Sequence, residues 1–286
     1  MLRFDPSGAV IGAKVFGASL AQVPTPDVIA QIEDALERYG VLIFAGQDIT
    51  PSQQVAFSAA FATLEKTARV SARLDGVPEI FVVGNADGKV VSFAPPPGSD
   101  ELEWHADHMH LPTPARASLL YCLETPPVGG ETLFACMYTA FERLSAPERA
   151  KAEGLIAQHS LSGLQSFLRR SGEKGAAEGE YESPETLTVS WPLVRTHPRT
   201  KRKSLYFGSK VTIGLEGWAP AEAAAYLSDL EAKATAPELR YAHHWSPGDA
   251  VLWDNRRVLH AGTPFDLSAF QRRMHRTTWR EDKPIT

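Results

Sequence analysis

The motif Trp104-His105-Ala106-Asp107 is answered far downstream by Trp253-Asp254-Asn255-Arg256-Arg257-Val258-Leu259-His260. Residues two apart on a β-strand point to the same side, so His105 and Asp107 face one cavity if their segment is extended. His260 must then arrive on a different strand. The run Ala250-Val251-Leu252-Trp253 has the apolar, aromatic composition of a buried strand, and Ser246-Pro247-Gly248-Asp249 is a turn that introduces it. Two imidazoles and one carboxylate can occupy one face of an octahedral metal and leave the opposite face open, which is the ligand set of oxygen-activating non-haem iron(II). His-x-Asp alone is a weak signal. Its value comes from its company.

That company includes Gln271-Arg272-Arg273-Met274-His275-Arg276-Thr277-Thr278, one strand and a turn beyond His260. On a strand, Arg272, Met274 and Arg276 share a face. Two cations there form an exposed basic edge in the simplest reading. Met274 between them is apolar and Trp279 falls on the alternate face, so the inward reading is preferred. Each guanidinium then offers a fork that fits a carboxylate.

Composition narrows the class. A chain of 286 residues buries a substantial core and is expected to form a single domain over 1–286. A formal net charge of −5 argues against a nucleic-acid partner. No segment approaches the length of a membrane span, and Met1-Leu2-Arg3-Phe4-Asp5-Pro6 lacks the apolar core of a secretory signal. Cys122 and Cys136 sit in apolar, strand-like runs and read as reduced core residues of a cytoplasmic protein.

Helices are predicted from Thr25-Pro26-Asp27 to Gly40, from Thr50-Pro51 onward, and from Pro220 to Lys233. Strands are predicted near 41–44, 79–83, 117–123, 131–136, 203–207, 241–245, 250–254 and 272–279. Many short strands with helices at the edges give a mainly β fold with flanking helices, a double-sheet jelly roll or double-stranded β-helix of cupin-like type. Residues 171–188 are rich in glycine and glutamate, and a mobile loop over the cavity is expected at 165–190. The irregular stretch Ala94-Pro95-Pro96-Pro97-Gly98-Ser99 offers another wall of the mouth.

The order of motifs resembles one family. His-x-Asp is followed by Gly129-Gly130-Glu131-Thr132-Leu133-Phe134-Ala135, then by His-Pro-x-Thr-x-Arg-Lys-Ser-Leu-Tyr at 197–206, Trp-Asp-Asn-Arg-x-x-x-His, and Arg-x-Met-x-Arg. This order, with Gly12-Ala13, Val41-Leu42-Ile43-Phe44 and Ile49-Thr50-Pro51 near the start, is similar to the taurine/2,4-dichlorophenoxyacetate dioxygenase (TauD/TfdA) family over nearly the whole chain. The resemblance implies that His105, Asp107 and His260 bind iron(II) and that Thr132 and Arg272 hold the distal carboxylate of 2-oxoglutarate, with O2 as the other cosubstrate. Arg276 is then the second arginine, which meets an anionic group of the primary substrate. Oxidative decarboxylation of the keto acid would give succinate and carbon dioxide, and the substrate would gain a hydroxyl. Hydroxylation beside an ether oxygen or a sulfonate yields a product that collapses, so net cleavage can follow.

Asp100-Glu101-Leu102-Glu103 stands where taurine enzymes carry an asparagine-rich stretch, which argues against taurine. The expected substrate is a small organic anion, a carboxylate with aryloxyalkanoates preferred, with Phe93, Leu111 and Phe207 as nearby apolar residues. The alternatives are a taurine-type sulfonate or sulfate-ester dioxygenase, a cupin without a keto-acid cosubstrate, and a non-catalytic metal-containing binding protein. A homo-oligomer, dimer or higher, is left open by a single chain. His108 and His110 have strand parity opposite to His105 and Asp107; His108 becomes a substrate contact if the strand ends early. His197, His243 and His244 read as structural, Asp254 and Asn255 as shaping the turn to His260, and Trp104 and Trp253 as core.

Overall fold

The structure, a computed structural model, describes residues 1–66, 69–85, 102–162, 187–209 and 211–281. The strands are β1 (Arg3–Pro6), β2 (Ala13–Phe16), β3 (Val41–Phe44), β4 (Arg73–Leu74), β5 (Val77–Gly84), β6 (Ala115–Glu124), β7 (Thr132–Cys136) and β8 (Ile156–Ser160). They continue with β9 (Thr188–Pro192), β10 (Val194–Thr196), β11 (Lys203–Leu205), β12 (Thr212–Leu215), β13 (Arg240–His243), β14 (Ala250–Asp254), β15 (Val258–Gly262) and β16 (Arg273–Arg280). The helices are α1 (Pro26–Tyr39), α2 (Pro51–Ala59), α3 (Met137–Arg143), α4 (Ala146–Glu153) and α5 (Pro220–Ala234).

An eight-stranded sheet runs in the order β1-β2-β3-β14-β6-β16-β5-β4, and a three-stranded sheet, β13-β7-β15, carries the second half of the site. At the centre of the large sheet, β14 is buried along its whole length. It is covered on both faces, so its sequence is a continuous apolar run rather than an alternation. On one face Leu42, Phe44, Leu119, Leu252 and Trp279 pack with Ile32, Leu36 and Phe57 of α1 and α2. On the other, Val41, Ile43, Leu120, Val251, Trp253 and Met274 meet Phe134, Cys136 and Val258 of the small sheet. The two sheets face each other as an open sandwich, the jelly-roll arrangement expected from the pattern of short strands.

Local chemistry sets the helix ends. The Thr25 hydroxyl accepts from the Val28 amide, Pro26 takes the first turn, and Gly40 closes α1 at φ 73°. Thr50 and Gln53 form a reciprocal capping box at the start of α2. The predicted helices and strands are all present, within a few residues of their expected ends. Beyond them, the structure adds β1, α3, α4 and the pairings β12-β8-β9 and β10-β11.

Cys122 and Cys136 are buried and free. Among the described residues no helix is long and apolar enough to cross a membrane. Most of the expected loop at 165–190, the stretch at 94–99, Phe93, Asp100 and Glu101 lie outside the described residues.

Candidate active site

The two halves of the leading motif meet across a strand edge. His260 lies in β15, which pairs with β7 on one side. On the other side it exchanges both backbone hydrogen bonds with His105: the His105 amide donates to the His260 carbonyl at 3.1 Å and the His260 amide to the His105 carbonyl at 2.8 Å. Directly opposed residues of an antiparallel pair project side chains to one side, and the imidazole centroids lie 4.2 Å apart. Asp107, two residues on, brings Oδ1 to 3.9 Å from His260 Nε2. One ligand atom from each of His105, Asp107 and His260 can be chosen so that all lie within 4.8 Å of one another.

The electrostatics suit a cation held by neutral nitrogen donors and one carboxylate. His105 Nδ1 sits 2.9 Å from the Glu103 carbonyl oxygen. A carbonyl only accepts, so Nδ1 carries the proton and Nε2 keeps its lone pair. Burial lowers the proton affinity of both imidazoles, and the Arg276 guanidinium adds to the effect. Burial acts to raise the Asp107 carboxyl, but Arg276 and the surrounding imidazoles outweigh it and hold the group well below the usual carboxylate range. All three donors are therefore ready at neutral pH without losing a proton. The residues fit iron(II), with the opposite face of the metal left for other ligands.

A cavity opens beside the two histidines, lined by Val83, Leu120, Thr132, Trp253, Phe265, Arg272 and Arg276 among others. Arg272 is 8% exposed, and among the described residues no carboxylate pairs with it. Its Nε is buried without an acceptor. Burial pulls the guanidinium down to about 10, still far above neutral pH, so a full charge faces the cavity. Thr132 Oγ1 accepts from Trp245 Nε1 at 3.0 Å, which leaves the hydroxyl proton free to donate. Together they bring a cationic fork and a hydroxyl donor to one cavity. Gly84 lets this corner exist: its φ is +140°, and a Cβ there would lie 1.7 Å from the Arg272 carbonyl oxygen, so no larger residue permits β5 to approach the start of β16 so closely.

Arg276, on the same face as Met274 as expected, pairs through Nη1 with Asp107 Oδ1 and lies over the Phe81 ring, 4.7 Å from its centroid. Its Nε is buried without an acceptor. The pairing with Asp107 joins residues 169 positions apart, a separation that no local pattern encodes. The extended segment ends at Asp107, and the turn at 107–110 puts His108 at φ 55°. This is the early strand end under which His108 stays near the site. Burial and the neighbouring Arg276 depress its proton affinity to about 4.

Several expectations need correction. Phe207 is buried in one cluster with Trp104 and Met109, near the first half of the motif, and borders a groove with Ser209, Thr212 and Glu231. Val83, Leu120, Trp253 and Phe265 supply the apolar surface of the cavity. Trp253 does double duty, 1% exposed in the core and lining the cavity, whereas Trp104 is core alone. His244 is not packed: its side chain is 78% exposed, 3.4 Å from Glu131. His197 is structural, its Nε2 3.0 Å from Asp254 Oδ2, with both side chains fully buried. Ser118 carries no sequence signal for the site, and Asn255 has a role beyond shaping the turn to His260. Both bond to Asp107, which is 11 and 148 positions away respectively, separations that no local pattern encodes.

Comparison with known proteins agrees with this geometry. The family model described as "Taurine catabolism dioxygenase TauD, TfdA family" matches residues 3–278. An (S)-phenoxypropionate/alpha-ketoglutarate-dioxygenase of Sphingobium herbicidovorans is 36% identical over 271 residues, covering 92% of this chain and 90% of the relative. An alpha-ketoglutarate-dependent 2,4-dichlorophenoxyacetate dioxygenase of Cupriavidus pinatubonensis is 32% identical over 296 residues and 98% of each chain. The crystal structure of AAD-2 in complex with Mn(II) and N-oxalylglycine superposes with a TM-score of 0.81 at 30% identity, covering 100% of both chains.

Proposed function

Since this chain belongs to the TauD/TfdA family of iron(II)- and 2-oxoglutarate-dependent dioxygenases, we propose that it oxidises small aryloxyalkanoate anions, with His105, Asp107 and His260 as the iron ligands. Thr132 and Arg272 hold the distal carboxylate of 2-oxoglutarate, and Arg276 and His108 meet the primary substrate. The observation that carries this reading is the buried Arg272 guanidinium, with no carboxylate partner among the described residues, in the cavity that reaches His105 and His260.

Bound iron(II), with 2-oxoglutarate and O2, supplies the oxidising equivalent that converts a substrate C–H bond to C–OH with release of succinate and carbon dioxide. The chain's own residues position and shield. Arg272 contributes a two-pronged donor that fixes the keto acid's orientation as well as its affinity. Thr132 adds the proton that Trp245 leaves free. Val83, Leu120, Trp253 and Phe265 present an apolar wall suited to an aromatic ring and to the exclusion of water. Arg276 has five donor hydrogens, of which Nη1 serves Asp107, so Nη2 is the part of the fork left to meet a substrate carboxylate.

For an aryloxyalkanoate, one atom of O2 enters succinate and the other the substrate carbon that bears the ether oxygen. The resulting hemiketal or hemiacetal breaks its bond to the aryloxy oxygen, and the hydroxyl proton passes to that oxygen. A phenol and a 2-oxo acid result. The test is turnover with (R)- and (S)-2-phenoxypropionate, phenoxyacetate, taurine and an alkyl sulfate, following succinate and phenol together. Succinate matched by phenol from an aryloxyalkanoate is expected. Succinate release with taurine or the sulfate ester, and none with the aryloxy acids, would overturn the substrate assignment and leave the cofactor assignment standing.

A further inference from the structure

Asn255 sits at the junction of a hydrogen-bond chain that ends on Asp107. Its Oδ1 accepts from the Trp253 indole Nε1 at 2.9 Å and from the Asp107 backbone amide at 3.0 Å. Its Nδ2 donates to Ser118 Oγ at 3.0 Å. Ser118 Oγ in turn donates to Asp107 Oδ2 at 2.6 Å. Ser118 is 0% exposed, Asn255 1% and Asp107 3%, so water does not compete for these groups.

The direction of every bond in the chain is fixed by two groups that can only donate, an indole N–H and a backbone N–H. Because both point at one end of the Asn255 amide, that end must be the carbonyl and the other the NH2. Because the NH2 donates to Ser118 Oγ, the serine proton is turned away from Asn255 and onto Asp107. The consequence falls on a single carboxylate oxygen. Oδ2 is tied to Ser118, while Oδ1, which also accepts from Arg276 Nη1, is the oxygen 3.9 Å from His260 Nε2.

We propose that Asn255 and Ser118 are positioning residues that hold the Asp107 carboxylate in the orientation in which it meets the metal, with Oδ2 tied to Ser118 and Oδ1 turned toward His260. The inference rests on the reading of His105, Asp107 and His260 as metal ligands. It assigns the asparagine of Trp253-Asp254-Asn255-Arg256 a task distinct from that of its neighbour: Asp254 is committed to His197 and Arg256, away from the metal site. Ligand carboxylates held by outer partners commonly lose metal affinity by about 10–100-fold when the partner is removed.

The experiment titrates Mn(II) into metal-free protein and reads free Mn(II) by electron paramagnetic resonance, with thermal melting of the same samples. The wild type is compared with Ser118→Ala, Ser118→Thr, Asn255→Ala and Asn255→Asp. Ser118→Ala and Asn255→Ala should weaken Mn(II) binding by about 10–100-fold. Ser118→Thr keeps the hydroxyl and should restore near-wild-type binding, which a purely steric role for the serine does not predict. Asn255→Asp keeps the acceptor but loses the donor, so the Ser118 proton is drawn to residue 255 and binding should weaken as in Ser118→Ala. Ser118→Ala removes one oxygen only and decides the matter if the Asn255 variants do not fold. A wild type that binds Mn(II) beside a Ser118→Ala protein that binds it equally well overturns the inference alone. A wild type that binds no Mn(II) overturns the metal site itself, and the inference with it.

Discussion

At the scale of single residues, Arg272, just before β16, and Arg276, within it, are chemically equivalent in sequence and differ in their surroundings. Arg272 faces the cavity without a carboxylate partner among the described residues, whereas Arg276 is engaged by Asp107. Charge-assisted bonds contribute about 1.5–3 kcal/mol each, or about 10- to 100-fold. Arg272→Ala is therefore expected to raise the KM for 2-oxoglutarate by about that factor and to leave the KM for the aryloxy acid nearly unchanged. Arg276→Ala is expected to show the converse, with an added loss in kcat because Asp107 loses a partner. Steady-state kinetics with each substrate varied in turn will read the split, and equal losses of both KM values in either variant would reverse the assignment. The order of His105, Asp107 and His260 along the chain was legible because strand parity and motif spacing are local or fixed by family resemblance. The bonds that orient them were not. Ser118, Asn255 and the Glu103 carbonyl act through backbone register and through contacts between distant segments.

At the scale of elements, legibility followed the strength of the local signal. Helices α1 and α2 announce themselves by Thr-Pro starts with side-chain caps, and β14 by its apolar run between turns. Helix α4 carries a readable capping box, Ser145 with Glu148. Helix α3 follows β7 directly with no side-chain cap, so nothing in the sequence marks the change from strand to helix. Strands β10 and β12 are three and four residues long, too short for a clear alternation; β10 pairs with the neighbouring β11, whereas β12 gains its pairing from β8, far back along the chain. The β5–β16 contact tests the link between an element and the site. Gly84→Ala places a methyl group where the Arg272 carbonyl stands, at a φ that side chains rarely adopt. A loss of about 1–3 kcal/mol is expected, seen as a lower melting temperature, together with a raised KM for 2-oxoglutarate because the segment that carries Arg272 must move. A variant as stable as the wild type would mean that the two strands do not need this close approach.

At the scale of the whole molecule, the placement of β14 between β3 and β6 brings the 250–260 segment into the centre of the fold, and no sequence pattern specifies that order. The same burial makes the fold sensitive to acid. His159, fully buried, has its Nδ1 3.1 Å from Thr212 Oγ1, and its Nε2 is buried without a partner. Burial, with His110 and Arg195 nearby, depresses it to about 3. The unfolded chain therefore binds a proton at His159 below about pH 6.5 that the folded chain does not. The contribution is complete above that pH and is lost as pH falls toward about 3. Stability should fall between pH 6 and 4 more steeply in the wild type than in His159→Gln, by up to about 1.4 kcal/mol per pH unit. Parallel slopes in denaturant titrations at the two pH values would remove His159 from the account.

The central claim is that His105, Asp107 and His260 form one metal centre beside the receptor made by Arg272 and Thr132. Anaerobic addition of 2-oxoglutarate to iron(II)-loaded protein tests it most directly, because a keto acid chelated to iron(II) gives a visible charge-transfer band. The band should develop in the wild type, vanish in His260→Ala, and require a much higher 2-oxoglutarate concentration in Arg272→Ala. A wild-type protein that develops no band, or a His260→Ala protein that develops it in full, would contradict the claim.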